Sequence, residues 1–544
     1  MTTTLTVPTA TIGTGRVRAA RALTGLAARQ IRFGAVVVVL VAAGMTAFVA
    51  ATAGTLLAER EGVESLRALA GNPAIRTLFG EPISLDTVGG FTVWRTATPL
   101  AVILAAWVSV TATRITRGEE DAGRWGLLLS GRAPMRRVLA GHLAVLMVVP
   151  VAGGAAVTAT LAASGAGGRG AAVHGVGLAA LGAFFAGTAV LAAQVFAARS
   201  AATGTAVGVL GIALLLRMVG DGVEAIGWLR WLSPLGLLEL SGPYGRDRWA
   251  PLLVLLIASV ALYAAAFAAA GRRDVAAGLV ASRSVRPARL RLLGSVEGFA
   301  LRRLLPALAG WALALTAYFL LIGFTAQTTI DFLTDNPTFA DRASGAGFEL
   351  ASVKGFAATL FAILALPVGG FVAVRIAAFA EEEHARRVTL LATAPIIRLR
   401  LLSAEIAVTA AGAVLLCLTA GVATWLGVLA GGNRALSFTG ALAGTLNTLP
   451  IIALCLGAAV LALAWVPRAV AALGGLPAAG GFLWLTLALD AEAPAWIVNL
   501  SPFAHLASVP LTGVHWTATA VMTALAALAV ITGAAGYQRR DLRG

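Results

Sequence analysis

The chain has 544 residues, is 59% hydrophobic and only 12% charged, and has a mean hydropathy of +0.87. A soluble domain of that size needs a charged skin of about a quarter of its residues, so long apolar runs with so few charges exclude one. In lipid each run must be a helix, because backbone polar groups there can be satisfied only within the segment.

The chain opens polar and dotted with arginine. An Arg-rich amphipathic stretch at 16–32 precedes the first apolar run, at about 33–57, which is too long for the core of a cleavable signal. Further runs follow at about 97–113, 138–163, 173–198, 200–219 and 251–271. A second amphipathic stretch at 286–303 leads to runs at about 305–326, 355–380, 401–429, 438–465, 469–489 and 517–537. The reading is an all-α polytopic membrane protein of about twelve spans. It divides into an N-terminal segment 1–32, a first six-helix half 33–271, a linker 272–304 and a second half 305–544. Pro150 with Gly153 and Gly154, Pro367 with Gly369 and Gly370, Pro450, and Pro477 between Gly475 and Gly480 mark kinks or close-packing points.

The net charge of +16 suggests nucleic acid until it is sorted by side. With the N-terminus inside, the inner segments hold 29 Lys+Arg against 10 Asp+Glu, and the outer segments 12 against 15. That is the positive-inside pattern. It makes a nucleic-acid partner unnecessary and predicts a multi-pass protein of the cell membrane with both termini cytoplasmic. Cys417 and Cys455 fall inside predicted spans and read as small packing residues, with no disulfide or metal role.

The chain repeats itself. Glu119-Glu120-Asp121-Ala122-Gly123-Arg124, then Leu127-Leu128, Ser130, Pro134 and Arg137, follows the second run. Glu382-Glu383-His384-Ala385-Arg386-Arg387, then Leu390-Leu391, Thr393, Pro395 and Arg398, follows the eighth. Gly90-Phe91 recurs as Gly355-Phe356, and Trp228 with Leu232-Ser233-Pro234 as Trp496 with Leu500-Ser501-Pro502. Arg272-Arg273-Asp274 recurs as Arg539-Arg540-Asp541, and Gly25-Leu26-Ala27 with Arg29 resembles Gly298-Phe299-Ala300 with Arg302. Each half has an even number of spans, so the halves are expected to run parallel, as a pseudo-dimer about an axis along the membrane normal.

Residues 117–137 and 381–400 are the cytoplasmic loops with room for structure. Acids at the start and Arg136-Arg137 at the end suit the dipole of a short surface helix, with Glu119 and Glu120 at its N-terminus and Leu127, Leu128 and Leu129 open to a partner. An interfacial linker explains either loop alone; duplication with the charge order kept favours a docking element.

This layout resembles the permeases of ATP-binding-cassette type-2 exporters, in the fused actinobacterial form related to polyketide-antibiotic and multidrug exporters. The first loop, RGEEDAGRWGLLLSGRAPMRRVLAGH, is its most specific part; the second has Ala394 where the first has Gly131-Arg132-Ala133. The resemblance implies an amphipathic helix before the first span and a re-entrant outer segment before the sixth. It also implies coupling helices after the second span of each half, which carry over to Glu119, Glu120, Arg124, Leu127, Leu128, Pro134 and Arg137. Their counterparts are Glu382, Glu383, Arg387, Leu390, Leu391, Pro395 and Arg398. Two copies of a nucleotide-binding ATPase would dock there, bringing ATP and Mg; the chain has no phosphate loop of its own, and Lys354 is its single lysine. The implied path for a hydrophobic small molecule runs along spans two, five, eight and eleven. Its large residues are Trp107, Phe356, Phe361, Phe371, Phe482 and Trp484, with Arg217 at the outer end of span five, where snorkelling to the interface is the plainer role.

Two other classes compete. An ion-coupled drug transporter needs a titratable group within the membrane, and the acids fall in loops or, for Glu405 and Asp490, near span ends. A membrane-embedded transferase needs clustered acids or histidines. His505 and His515, near Asp490 and Glu492, do not have metal-ligand spacing, and His142, His174 and His384 have no visible partner. No catalytic or metal residue is assigned.

Overall fold

A computed structural model describes residues 12–57, 73–130, 134–275, 277–280, 292–335, 337, 352–384, 397–490 and 493–540. The described residues are helices and short connections, with no strand among them. Among the described residues twelve helices are long and apolar enough to cross a membrane, and the chain is an all-α polytopic membrane protein. It forms two compact units, residues 1–286 and 287–544.

The first unit contains the spans Thr24–Gly54, Val88–Asp121, Met135–Ala163, Gly168–Val195, Arg199–Gly222 and Ala250–Ala270. The second contains Val296–Asp335, Val353–Glu383, Arg398–Ala430, Phe438–Trp465, Pro467–Leu489 and Trp516–Arg539. The expected separate amphipathic helices are instead continuous with the spans they precede. Ile12–Leu57 is one unbroken helix, and Val296–Phe324 runs straight from the end of the linker into the seventh span. The Ala-, Leu- and Arg-rich sequence has strong helix formers across both junctions, and the helices run on through Gly34 and Pro306.

The mid-span prolines act differently. Pro150 and Pro367 lie inside continuous helices. Pro450 restarts the tenth span as Leu449–Trp465 after Phe438–Leu446, and Pro477 sits in a π-helical turn, Leu476–Gly480, within the eleventh.

Small residues set the helix spacing. A Cβ on Gly154 would lie 2.2 Å from the carbonyl oxygen of Gly175, so the third and fourth spans touch backbone to backbone. Thr158 on the third span crosses the same seam, donating to Ala171 O at 3.1 Å. In the second unit, Gly427 meets Leu320 in the same way, joining the ninth span to the seventh. Cys417 and Cys455 are buried and unpaired.

The Ser-Pro segments before the sixth and twelfth spans fold into short helices, Glu224–Leu232 with Pro234–Leu240, and Ala495–Val498 with Pro502–His505. Ser233 Oγ donates to Ala213 O at 2.6 Å, and Ser501 Oγ donates to Gly481 O at 2.7 Å. Each serine ties its segment to the preceding span, twenty residues back in both halves.

Candidate functional site

The repeated loop is built on an ion-paired base. The second span extends past its apolar core through a π-helical turn, Arg114–Gly118, and a last turn, Glu119–Asp121. Arg273, just beyond the sixth span, grips Glu120 with both guanidinium arms, Nη1 to Oε1 at 2.6 Å and Nη2 to Oε2 at 2.7 Å. Arg117 approaches the same carboxylate at 3.1 Å and also donates to Ala277 O at 2.9 Å. Gln194, at the end of the fourth span, accepts from Arg273 at 2.8 Å, and Asp121 accepts the backbone N–H of Arg199 at 3.1 Å. Four spans are therefore locked together at this end.

The turn that follows needs Gly123, which has φ +73. It releases the short helix Arg124–Leu129. Arg124 reaches back to Glu119 at 2.5 and 2.7 Å, a bond that raises the guanidinium above its already high pKa. Trp125 is buried with its ring centroid 5.6 Å from that of His142. Leu127, 78% exposed, points away from the protein. Leu128 and Leu129 pack partly against the core, and Pro134 precedes the third span, on which Arg137 is exposed.

These positions correct the helix-dipole expectation. Glu119 and Glu120 end the second span and do not start the loop helix, while Arg136 and Arg137 start the third span. The ion-pair partners, Arg124 for Glu119 and above all Arg273 for Glu120, outweigh the local dipole, because a buried carboxylate needs a full countercharge. Glu120 faces inward and is not a surface contact; on the loop helix the exposed residues are Arg124, Gly126 and Leu127.

The second unit repeats the arrangement in part. Arg540, beyond the twelfth span, pairs with Glu383 at 2.5 Å, as Arg273 does with Glu120. Glu382 pairs with Arg303 at 2.6 Å. Arg303 also approaches Glu405, which Arg375 holds in a close buried pair. Arg398 opens the ninth span. Arg387, Leu390, Leu391 and Pro395 lie outside the described residues.

A second polar cluster sits at the opposite end of the first unit. Arg217, buried near the end of the fifth span, pairs with Asp221 at 2.7 Å and Glu239 at 2.8 Å and donates to Leu78 O at 3.1 Å. Glu81 pairs with Arg230 at 3.0 Å and closely with Arg246. Arg217 therefore does not snorkel to the interface; two carboxylates hold it inside. Asp221 and, in the second unit, Glu405 are buried acids within spans. The sequence carried a signal for the first of these, since Arg217 and Asp221 are four apart on one helix; it carried none for Glu239 or Glu81. Gly80 makes the closure possible: its φ is +93, and a Cβ there would lie 2.3 Å from both Arg217 Nη2 and Glu239 Oε1. Nearby, burial pushes the Tyr244 phenol up to about 12.

Beside this cluster is a cavity of about 50 Å³ lined by Phe79, Trp94, Thr98, His174, Arg217 and Glu239, among others. The other six residues expected along a path do not line it. Trp107 covers Gly34 of the first span. Phe356 is half-buried at the start of the eighth span, while Phe361 packs on Gly444 and Phe371 meets Trp311 edge-on at 6.1 Å. Phe482 packs on Phe503 at 5.6 Å, and Trp484 donates to Ile497 O at 2.8 Å.

Comparison with known proteins agrees with this architecture. A family model described as the multidrug efflux system permease Rv1217c, C-terminal domain, matches twice, over residues 21–270 and 293–538. Each match covers one six-span unit. The chain is also similar to the multidrug efflux system permease protein Rv1217c of Mycobacterium tuberculosis, 32% identical over 484 residues, covering 88% of this chain and 86% of that one. Duplicated spans, duplicated ion-paired loops and a family match in each half lead to one conclusion: the chain belongs to the Rv1217c family of multidrug efflux permeases.

Proposed function

We propose that this chain is the membrane-spanning subunit of an ATP-driven exporter that moves hydrophobic or amphipathic compounds, antibiotics and drugs among them, out of the cell. The observation that carries the reading is the loop helix Arg124–Leu129, which exposes Leu127 on a base of buried ion pairs. A rigid base with an apolar tip can take a push from a docked partner and pass it to the four spans that the base joins. The segment 381–400 would be the matching dock in the second half. Both docks and both termini would face the cytoplasm, as the basic inner segments require.

The chain's own residues bind the partner, transmit its movement and enclose the compound. ATP and Mg belong to two separate nucleotide-binding subunits, whose closure would rock the halves between inward- and outward-open states. Transport without chemistry on the compound fits a subunit that is not itself an enzyme.

An ion-coupled transporter is the second reading, and the buried acids Asp221 and Glu405 speak for it. Each, however, is already engaged in an ion pair inside its own unit, Asp221 with Arg217 and Glu405 with Arg375.

The test is assembly. The permease is co-expressed with the ATPase encoded beside it, purified through a tag on the permease, and assayed for ATP hydrolysis. Two ATPase copies per permease with vanadate-sensitive hydrolysis is the expected result; a permease that purifies alone and binds no ATPase refutes the reading.

A further inference from the structure

The cavity at the Arg217 end contains one group that no pairing accounts for. His174, 1% exposed at the start of the fourth span, lines it, and neither ring nitrogen has a protein hydrogen-bond partner. The charged groups around it are already matched. Arg217, Arg230 and Arg246 face Asp221, Glu81 and Glu239 in close ion pairs. A charged ligand group would thus enter uncompensated, at the cost of burying a lone charge. A neutral imidazole offers one donor and one acceptor. The two nitrogens point away from each other, so one ligand atom meets only the nitrogen that faces the cavity, and a hydroxyl can do so in either tautomer, by donating or by accepting.

The walls narrow the choice further. Phe79 and Trp94, with ring centroids 5.2 Å apart, line the cavity together with Val93, Leu235 and Leu238. Trp94 Nε1 is committed to Gly80 O at 3.2 Å, so its ring serves as a wall and its N–H is not on offer. Aromatic walls favour an aromatic guest. A volume of about 50 Å³ takes the hydroxyl and the adjoining edge of one ring, not a whole drug.

We propose that this cavity is a recognition subsite for the phenolic hydroxyl of an aromatic compound, with His174 as its hydrogen-bonding residue and Phe79 and Trp94 as its ring contacts. The subsite rests on the efflux reading for its biological ligand, though not for the binding itself. A compound carrying a phenol would anchor that edge here while its bulk stays outside.

The test uses the full-length permease in lipid nanodiscs, with 4-fluorophenol and 4-fluorotoluene followed by ¹⁹F NMR and empty nanodiscs subtracted. The two probes match in heavy-atom count and differ in the hydroxyl. An unpaired buried imidazole costs enough to favour the phenol by at least about tenfold in affinity. His174→Leu is expected to erase that preference and His174→Gln to keep part of it. Equal affinity for the two probes in the wild-type protein, no saturable binding of the phenol, or a preference that survives His174→Leu would each overturn the proposal. The wild-type comparison stands even if a variant fails to fold. Failure of the efflux reading would be seen separately, as wild-type cells that extrude no dye.

Discussion

Arg273 holds both carboxylate oxygens of Glu120, at 2.6 and 2.7 Å, across 153 residues of sequence. Arg540 and Glu383, their repeat partners, form an ion pair at 2.5 Å in the second half. The duplication therefore preserves a tie between the ends of the second and sixth spans of each unit, and not only a loop sequence.

Removing one side of the first pair strands the other as a buried charge. Glu120→Ala or Arg273→Ala should destabilise the first unit by about 3–5 kcal/mol, while the double replacement Glu120→Leu with Arg273→Leu should cost less than either single change. Thermal unfolding of the purified permease measures all three.

Leu127 is predicted to behave in the opposite way. Leu127→Asp alters an exposed side chain and should leave the unfolding temperature within the range of a shift of about 0.5 kcal/mol. It should nonetheless sharply reduce retention of the ATPase in pull-downs. A variant that melts like the wild type and keeps its ATPase would show that the loop tip is not the dock.

Gly80 and Gly123 both adopt positive φ, but only Gly80 is crowded. Gly123→Ala should cost about 1–2 kcal/mol, the left-handed penalty alone. Gly80→Ala adds a collision with Arg217 and Glu239 and should cost clearly more. Melting curves of the two variants, run side by side, provide the comparison.

Ser233 and Ser501 make equivalent buried bonds to the spans behind them. Ser233→Ala and Ser501→Ala should each cost about 1–3 kcal/mol by leaving a buried carbonyl short of a donor. Lying in separate units, the two losses should add in the double variant.

The number of spans was legible because apolar length alone sets it: each run from 33–57 to 517–537 reappears as a membrane-length helix. The repeat was legible because Ser233-Pro234 and Arg272-Arg273 kept their order and spacing. What the acids touch was not. Glu119 and Glu120 look like a helix start when read locally, and the burial of Glu120 depends on Arg117 and on an arginine more than a hundred residues away. Arg217 read as an interface residue because the fifth apolar run ends at about 219, which leaves Asp221 outside a helix that in fact reaches Gly222, while Glu239 joins from a different element. His174 gave no signal at all, since its lack of a partner is a property of the packed cavity and not of any motif.

The most direct measurement is dye uptake into inside-out vesicles that carry the permease together with its ATPase. The account predicts ATP-dependent, vanadate-sensitive accumulation of a hydrophobic dye such as Hoechst 33342, lost in Leu127→Asp although that permease still inserts. Uptake that proceeds without the ATPase and collapses with the proton gradient would contradict it.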